Sequence, residues 1–197
     1  AREQREQQIL DAALEVFARA GYHGTSVTDL VEAAGVARGT FYLYFDSKQA
    51  VFLELLERLL VAFRSGVSGA DTAPGAAPIR DQVISILHNL LRAARSSRAV
   101  TTILFREAVV LDPAITHRVQ EHEDAFLDWI AGALANGTAM GLLRPHDAHL
   151  AALAVYGSVR QVIERSVRDD TPDDRLRDLA TALVDHHLDG LRPRDPR

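Results

Sequence analysis

Residues 25–48 read TSVTDLVEAAGVARGTFYLYFDSK. Ser26 stands three residues before Asp29, the side-chain pairing that opens a helix by satisfying its first free N–H groups. Val27, Leu30, Val31 and Ala34 recur at helical spacing and form one apolar face. The spacing predicts a helix over 27–34, a turn at Gly35-Val36-Ala37, and a third helix over about 38–44. Phe41 and Phe45, four apart, face inward from that helix. The stretch is therefore two short helices joined by a tight turn, with one side of the second left open.

Helical spacing extends in both directions. A first helix over about 3–20 carries Ile9, Ala13, Val16, Phe17 and Ala20 on one face, and Gly21 ends it in the left-handed conformation. Asp46 is expected to cap a fourth helix near 47–64. Its stripe of Val51, Phe52, Leu55, Leu56, Leu59 and Phe63 is too wide for one small neighbour, so it is expected to pack on both sides. Residues 65–78 form a loop by composition. Further helices are expected near 79–96, 98–109, 113–140, 147–168 and 172–190. Pro113, Pro145 and Pro172 lie at or just before starts, and Gly141 and Gly190 mark ends. The tail from Arg192 is expected to fray. No alternating strand pattern or hairpin turn occurs. The fold class is all-α, with about nine helices. The expected units are a three-helix helix-turn-helix domain over 1–46 and a larger helical effector-binding and dimerisation domain over 47–197.

The totals suit this reading. The chain has 197 residues, 47% hydrophobic and 25% charged, which is enough for a core and a hydrated surface. It has no cysteine, so disulfides, thiolate metal sites and cysteine nucleophiles are excluded. No apolar run reaches the roughly 18 residues of a membrane span, and no signal-peptide pattern opens the chain. A cytoplasmic protein without a membrane partner is the expectation. The chain begins at Ala1, and a short native N-terminal arm is expected to precede it. The net charge is −5, and the first fifty residues hold five basic against seven acidic side chains. A broad basic face for nonspecific nucleic-acid coating is therefore absent. Specific reading by a few placed donors is not excluded.

The open side of the third helix carries suitable groups. Arg38 can fork onto guanine or clamp a phosphate, and Thr40 offers a hydroxyl and a methyl to base edges. Gly39 permits close backbone approach. Tyr42 and Tyr44 offer phenolic donors, or serve only as half-buried aromatics. Lys48, the single lysine among 22 basic residues, stands in the first turn of the fourth helix, where free N–H groups already favour an anion. Thr25 and Ser26, at the start of the second helix, can serve the other side of a groove.

Residues 7–60 closely resemble the N-terminal domain of TetR-family transcriptional regulators. The resemblance rests on Ile9-Leu-Asp-Ala-Ala13, Phe17, Gly21-Tyr-His-Gly-Thr-Ser26, Ala33-Ala-Gly-Val36, Gly39-Thr-Phe-Tyr42, Phe45 and Lys48. It implies phosphate contacts at Ser26, Tyr42 and Lys48, and base-proximal positions at Arg38, Gly39, Thr40 and Tyr44. The position of Tyr44 is often histidine in that family. It also implies a larger helical domain that binds a small molecule and forms a dimer. The last two helices are then expected to pair with their copies as a four-helix bundle through Leu150, Ala154, Gly157, Leu176, Leu179, Ala180, Leu183 and Leu188. Two reading helices about 34 Å apart would meet a pseudopalindrome. Candidate effector contacts are His88, Phe105, Arg106, His122, Phe126, Trp129, Tyr156 and Arg160. Arginine at 106 or 160 suits an anionic effector; Phe126 and Trp129 suit a flat apolar one.

The eight histidines assemble no three convergent metal ligands by spacing. His117 and Glu121-His122 are one residue too widely spaced for the H-x-x-E-H arrangement. No G-x-S-x-G, P-loop or G-x-G-x-x-G occurs, so neither enzyme nor cofactor is expected. The expectation is a homodimeric regulator of a double-stranded DNA operator, most simply a repressor released by a small molecule of unknown identity. The alternatives are control by a protein partner, no effector at all, or an all-α enzyme with a fortuitous N-terminal motif.

Overall fold

The computed structural model describes residues 2–66, 71–107 and 113–191, apart from the side chains of Arg106, Glu107 and Leu191. The tail from 192 onward and residues 108–109 of the expected sixth helix lie outside the described residues. Among the described residues there are nine α-helices and no strand. They are α1 (Arg2–Ala20), α2 (Val27–Ala34), α3 (Arg38–Tyr42), α4 (Lys48–Gly66), α5 (Ile79–Ser96), α6 (Arg98–Glu107), α7 (Pro113–Ala139), α8 (Ala148–Arg168) and α9 (Asp173–Leu191).

Two apolar clusters organise these helices. The first joins Ile9, Ala13 and Phe17 of α1, Leu30 of α2, Phe41, Phe45, and Val51, Phe52, Leu56 and Leu59 of α4. It also takes in Val100, Ile103 and Leu104 of α6 and Ile115 of α7, so the N-terminal helices rest on the larger domain. Phe17 meets Phe52 edge-on at 5.7 Å and stacks on Tyr22 at 5.9 Å. Burying each such ring is worth about 1.5–3 kcal/mol relative to leaving it exposed. The second cluster packs Ile84, Leu87 and Leu91 of α5 against Ile163 and Val167 of α8 and Leu176, Ala180 and Val184 of α9. Phe63 packs against both clusters. The wide stripe of α4 thus serves two neighbours, as its width predicts.

Three local expectations need correction. The cap of α4 is Ser47, whose Oγ accepts the Ala50 N–H at 3.1 Å, and not Asp46. α3 stops at Tyr42, because the N–H groups of Tyr44 and Phe45 both return to the Phe41 carbonyl and close a turn. Gly190 lies within α9, which runs on to Leu191. Gly21, Gly35 and Gly141 do take the left-handed conformation at helix ends, with φ of 71°, 61° and 74°.

Candidate nucleic-acid interface

The reading unit is built from its caps. The Ser26 hydroxyl accepts the Asp29 N–H at 3.2 Å while the Asp29 carboxylate accepts the Ser26 N–H at 2.7 Å. The same carboxylate also accepts the Ser26 hydroxyl proton at 2.6 Å. These bonds, side chain first, hold the Asp29 carboxyl below the usual carboxylate range. Gly35 closes α2 with its N–H on the carbonyls of Glu32 and Val31. The turn then delivers α3 with Phe41 fully buried beneath it.

On the opposite side of α3, Arg38 and Gly39 are exposed, and Thr40 is half-buried. The Arg38 guanidinium lies 5.9 Å from the centre of the Tyr42 ring, and Tyr42 is 44% exposed. A side chain built at Gly39 would meet nothing within 4 Å. The fold itself gives no steric reason for glycine there. Gly24 is different: a side chain there would collide with the Ala20 carbonyl, so the loop from α1 to α2 requires glycine.

Three sequence-based site assignments change. Thr25 is only 3% exposed, and its hydroxyl donates to the Gly21 carbonyl at 2.7 Å. It fastens the loop and does not face a groove. Lys48 is half-buried, and its ammonium donates to the carbonyls of Tyr22 at 2.8 Å and Thr25 at 2.7 Å, 4.6 Å from the Tyr22 ring centre. A compact ammonium with three donors suits loop carbonyls better than a guanidinium fork does. The lysine thus ties the α1–α2 loop to α4, rather than standing apart as a point charge. Tyr44 is half-buried and packs on the first cluster, because the turn after Tyr42 rotates it toward the core.

Two features escaped the sequence reading. Leu43, 75% exposed at the tip of the turn, is the most exposed large apolar side chain among the described residues. Arg2 and Arg5 of α1 share an open groove with Leu43 and Tyr44. An apolar residue between two tyrosines and an arginine pair at a chain start were the signals available.

The effector candidates separate into groups. Phe126 stacks on Trp129 at 5.7 Å and meets Tyr156 edge-on at 6.2 Å, while Arg160 lies 5.4 Å from the Phe105 ring centre. Glu123, absent from the expected set, joins them: it pairs with Arg160 at 3.5 Å and accepts from Tyr156. Burial pushes the Tyr156 phenol well above its ordinary pKa, followed by its bond to Glu123. The Arg160 charge is therefore already answered within the chain. His122 instead faces Glu57 of α4, 3.7 Å away, because it lies one turn back along α7. His88 is half-buried on α5 and shares none of these contacts. The side chain of Arg106 lies outside the described residues. A cleft of about 390 Å³ opens between α1, α6 and α8, with Phe17, Arg98, Thr102, Phe105, Glu164 and Arg168 on its walls, so Phe105 borders both this cleft and Arg160.

The expected dimer residues also divide. Leu150, Ala154, Gly157 and Leu179 are exposed on α8 and α9, joined by Leu153. Leu183 and Leu188 pack partly against the second cluster. Leu176 and Ala180 are fully buried in that cluster, so no partner can reach them. The helical period of α9 turns these two toward the chain's own core. Among the described residues, no group of three His, Asp or Glu side chains could hold a metal. No described helix is long and apolar enough to cross a membrane.

Residues 9–55 match the N-terminal domain of bacterial regulatory proteins of the tetR family, and residues 76–164 match a tetracyclin repressor-like C-terminal domain. The transcriptional regulator TtgR of Pseudomonas putida is 30% identical over 192 residues, 94% of this chain and 90% of that protein. A fatty acid metabolism regulator protein of Bacillus subtilis (strain 168) is 26% identical over 185 residues, covering 93% of this chain and 94% of its own. The solved structure of the regulator FadR from Bacillus subtilis, in complex with stearoyl-CoA, shares the fold with a TM-score of 0.73 at 22% identity, over 93% and 98% of the two chains. These relatives are regulators and not enzymes. With a capped helix-turn-helix, an open α3 face and matches across both of its halves, the chain belongs to the tetR family of DNA-binding transcriptional regulators.

Proposed function

We propose that this regulator is a homodimeric repressor that binds a pseudopalindromic operator and is released by a small molecule. The carrying observation is the α3 surface: Arg38, Gly39 and Tyr42 lie open above a fully buried Phe41. Arg38 and Thr40 read base edges, with Leu43 available to a thymine methyl. Ser26 and Tyr42 position the helix on phosphates, with Arg2, Arg5 and Lys48 adding positive charge beside them. The exposed leucines of α8 and α9 support a dimer face, since Leu150 is 64% exposed in the single chain. The effector domain, taken from 47 onward, receives its ligand beside Phe105, Phe126, Trp129, Tyr156 and Arg160. Relatives named for fatty acid metabolism and for a stearoyl-CoA complex make a long-chain acyl thioester the first effector to test. Release needs only that the effector prefer one of two arrangements of the reading units. A preference of about 1–3 kcal/mol gives roughly 5–150-fold release.

Selection of bound fragments from random duplex DNA by the purified protein tests the reading. Recovery of a twofold-symmetric site with half-sites about one helical turn apart is the expected result. Recovery of unrelated fragments, or of a single half-site, would remove the dimeric operator reading.

A further inference from the structure

The N-terminal helix and the larger domain do not close fully where they meet. The cleft between α1, α6 and α8 has a volume of about 390 Å³. Small-molecule sites span about 300–1,000 Å³ and favour domain boundaries, so this cleft suits a small ligand. From α1 come the buried ring of Phe17 and the exposed Ala18. From α6 come Arg98 and the half-buried ring of Phe105, and from α8 come Glu164, Val167 and Arg168. Phe17 and Val167 are buried, while the three charged side chains remain partly exposed. Of all these residues, the reading unit and the aromatic group of α7 and α8 use only Phe105.

Two guanidiniums against one carboxylate leave the walls with one positive charge. Arg98 pairs through a single nitrogen, Nη1, with Asp170 at 2.7 Å. Arg168 lies 3.2 Å from Asp169 and 3.7 Å from Glu164. Neither aspartate lines the cleft, and exposed pairs of this kind add little stability. A guanidinium has five N–H donors, so each arginine keeps donors for a further carboxylate. Glu164 sets the limit, because a second negative charge on a ligand would meet its carboxylate.

We propose that this cleft is a ligand site for a small aromatic monocarboxylate. Its ring lies beside Phe17, Phe105 and Val167, and its acid group bonds to Arg98 and Arg168. The site is additional to the effector reading above, and it does not depend on DNA binding. A long-chain acyl thioester of coenzyme A is too large for the cleft and carries more than one negative charge.

The test titrates 2-naphthoate into the full chain by calorimetry. Beside it run the neutral 2-naphthalenemethanol and 2-naphthyl phosphate, which is doubly charged at about pH 8. The parent should bind one naphthoate per chain, about 10-fold more tightly than either analogue. Ala18→Phe fills the cleft from an exposed position and should weaken naphthoate by about 10-fold or more. Thr102→Phe does the same from α6, should the first variant melt early. The Arg98→Gln, Arg168→Gln double variant should bind the acid no better than the alcohol. Melting temperatures without ligand separate loss of fold from loss of the site. No naphthoate binding by the parent, or equal affinity for all three probes, would overturn the proposal. So would binding that survives both cleft-filling variants but is lost in Trp129→Ala, which would place the acid in the aromatic group.

Discussion

Lys48 reaches back 23 residues to donate a 2.7 Å hydrogen bond to the carbonyl of Thr25. The bond crosses from the first residue of α4 to the loop that launches α2. Lys48→Ala should therefore destabilise the reading unit by about 1.5–3 kcal/mol, the usual worth of hydrogen bonds to a charged group. It should also weaken DNA binding across all sequences. Thermal melts and salt titrations together separate the roles. An unchanged melt with the salt slope flatter by about one unit would mean that the lysine serves only a phosphate.

Tyr42 is the phenol most open to a partner. Tyr42→Phe should leave the melt unchanged and weaken operator binding by about 5-fold, one net hydrogen bond, at every base sequence alike. Arg38→Ala should instead relax preference at particular base pairs by about 1–3 kcal/mol. Competition binding against single-base operator variants reads the difference. A uniform loss for Arg38→Ala would reassign it to phosphate.

The two faces of α9 should answer differently to the same change. Leu179→Asp, with Leu150→Asp on α8, should yield a folded monomer in sedimentation, because both leucines are exposed in the single chain. Leu176→Asp should fail to fold, since it buries an unpaired carboxylate in the second cluster. A folded dimer from the Leu150/Leu179 pair would move the interface elsewhere.

Burial lowers the pKa values of His122 and His187, with Arg64 and Arg118 adding to the effect on the first and His186 on the second. Both imidazoles thus hold a proton less readily folded than unfolded. The unfolded chain takes up more protons below about pH 6.5, so stability is lost as pH falls through that value and recovered above it. Glu57 and Asp29 are depressed carboxyls, and their contributions disappear only in more acid solution, near and below about pH 4. Melting temperature should drop between about pH 7.5 and pH 5.5, and less steeply in a His122→Asn, His187→Asn double variant. A flat or rising profile would contradict the burial of these rings.

Trp129→Ala should leave operator affinity intact and change release by stearoyl-CoA or a neighbouring acyl chain length. Anisotropy of labelled operator during acyl-thioester titration measures this. Identical release curves for parent and variant would displace the effector site from the aromatic group; the α1–α6–α8 cleft would be the next place to probe.

The architecture was legible wherever local chemistry alone decides the outcome. Ser26 and Asp29 announced the start of α2, Gly35 its end, and the four-residue spacing of Phe41 and Phe45 the buried side of α3. The site was less legible, because side-chain destination depends on distant neighbours. Nothing near position 48 tells that its ammonium will find carbonyls at 22 and 25. Nothing near 25 tells that its hydroxyl will turn back to Gly21. Leu176 and Ala180 look like interface residues by composition, but α5 covers them. Glu57 and Glu123 read as solvated surface charges until α4, α7 and α8 come together around them.

Phe63 leaves its mark on how this protein could be rebuilt. One partly buried aromatic ring, seventeen residues past the expected edge of the first unit at 46, packs against both clusters at once. A chimera spliced at 46 would strip the head of Phe52, Leu56 and Leu59, and of the α6 residues beneath them. Grafting this head onto another sensor thus requires carrying α4 through Gly66 and recreating an α6-like floor. Natural shuffling of the two halves faces the same restriction, so the pair should be inherited as one piece.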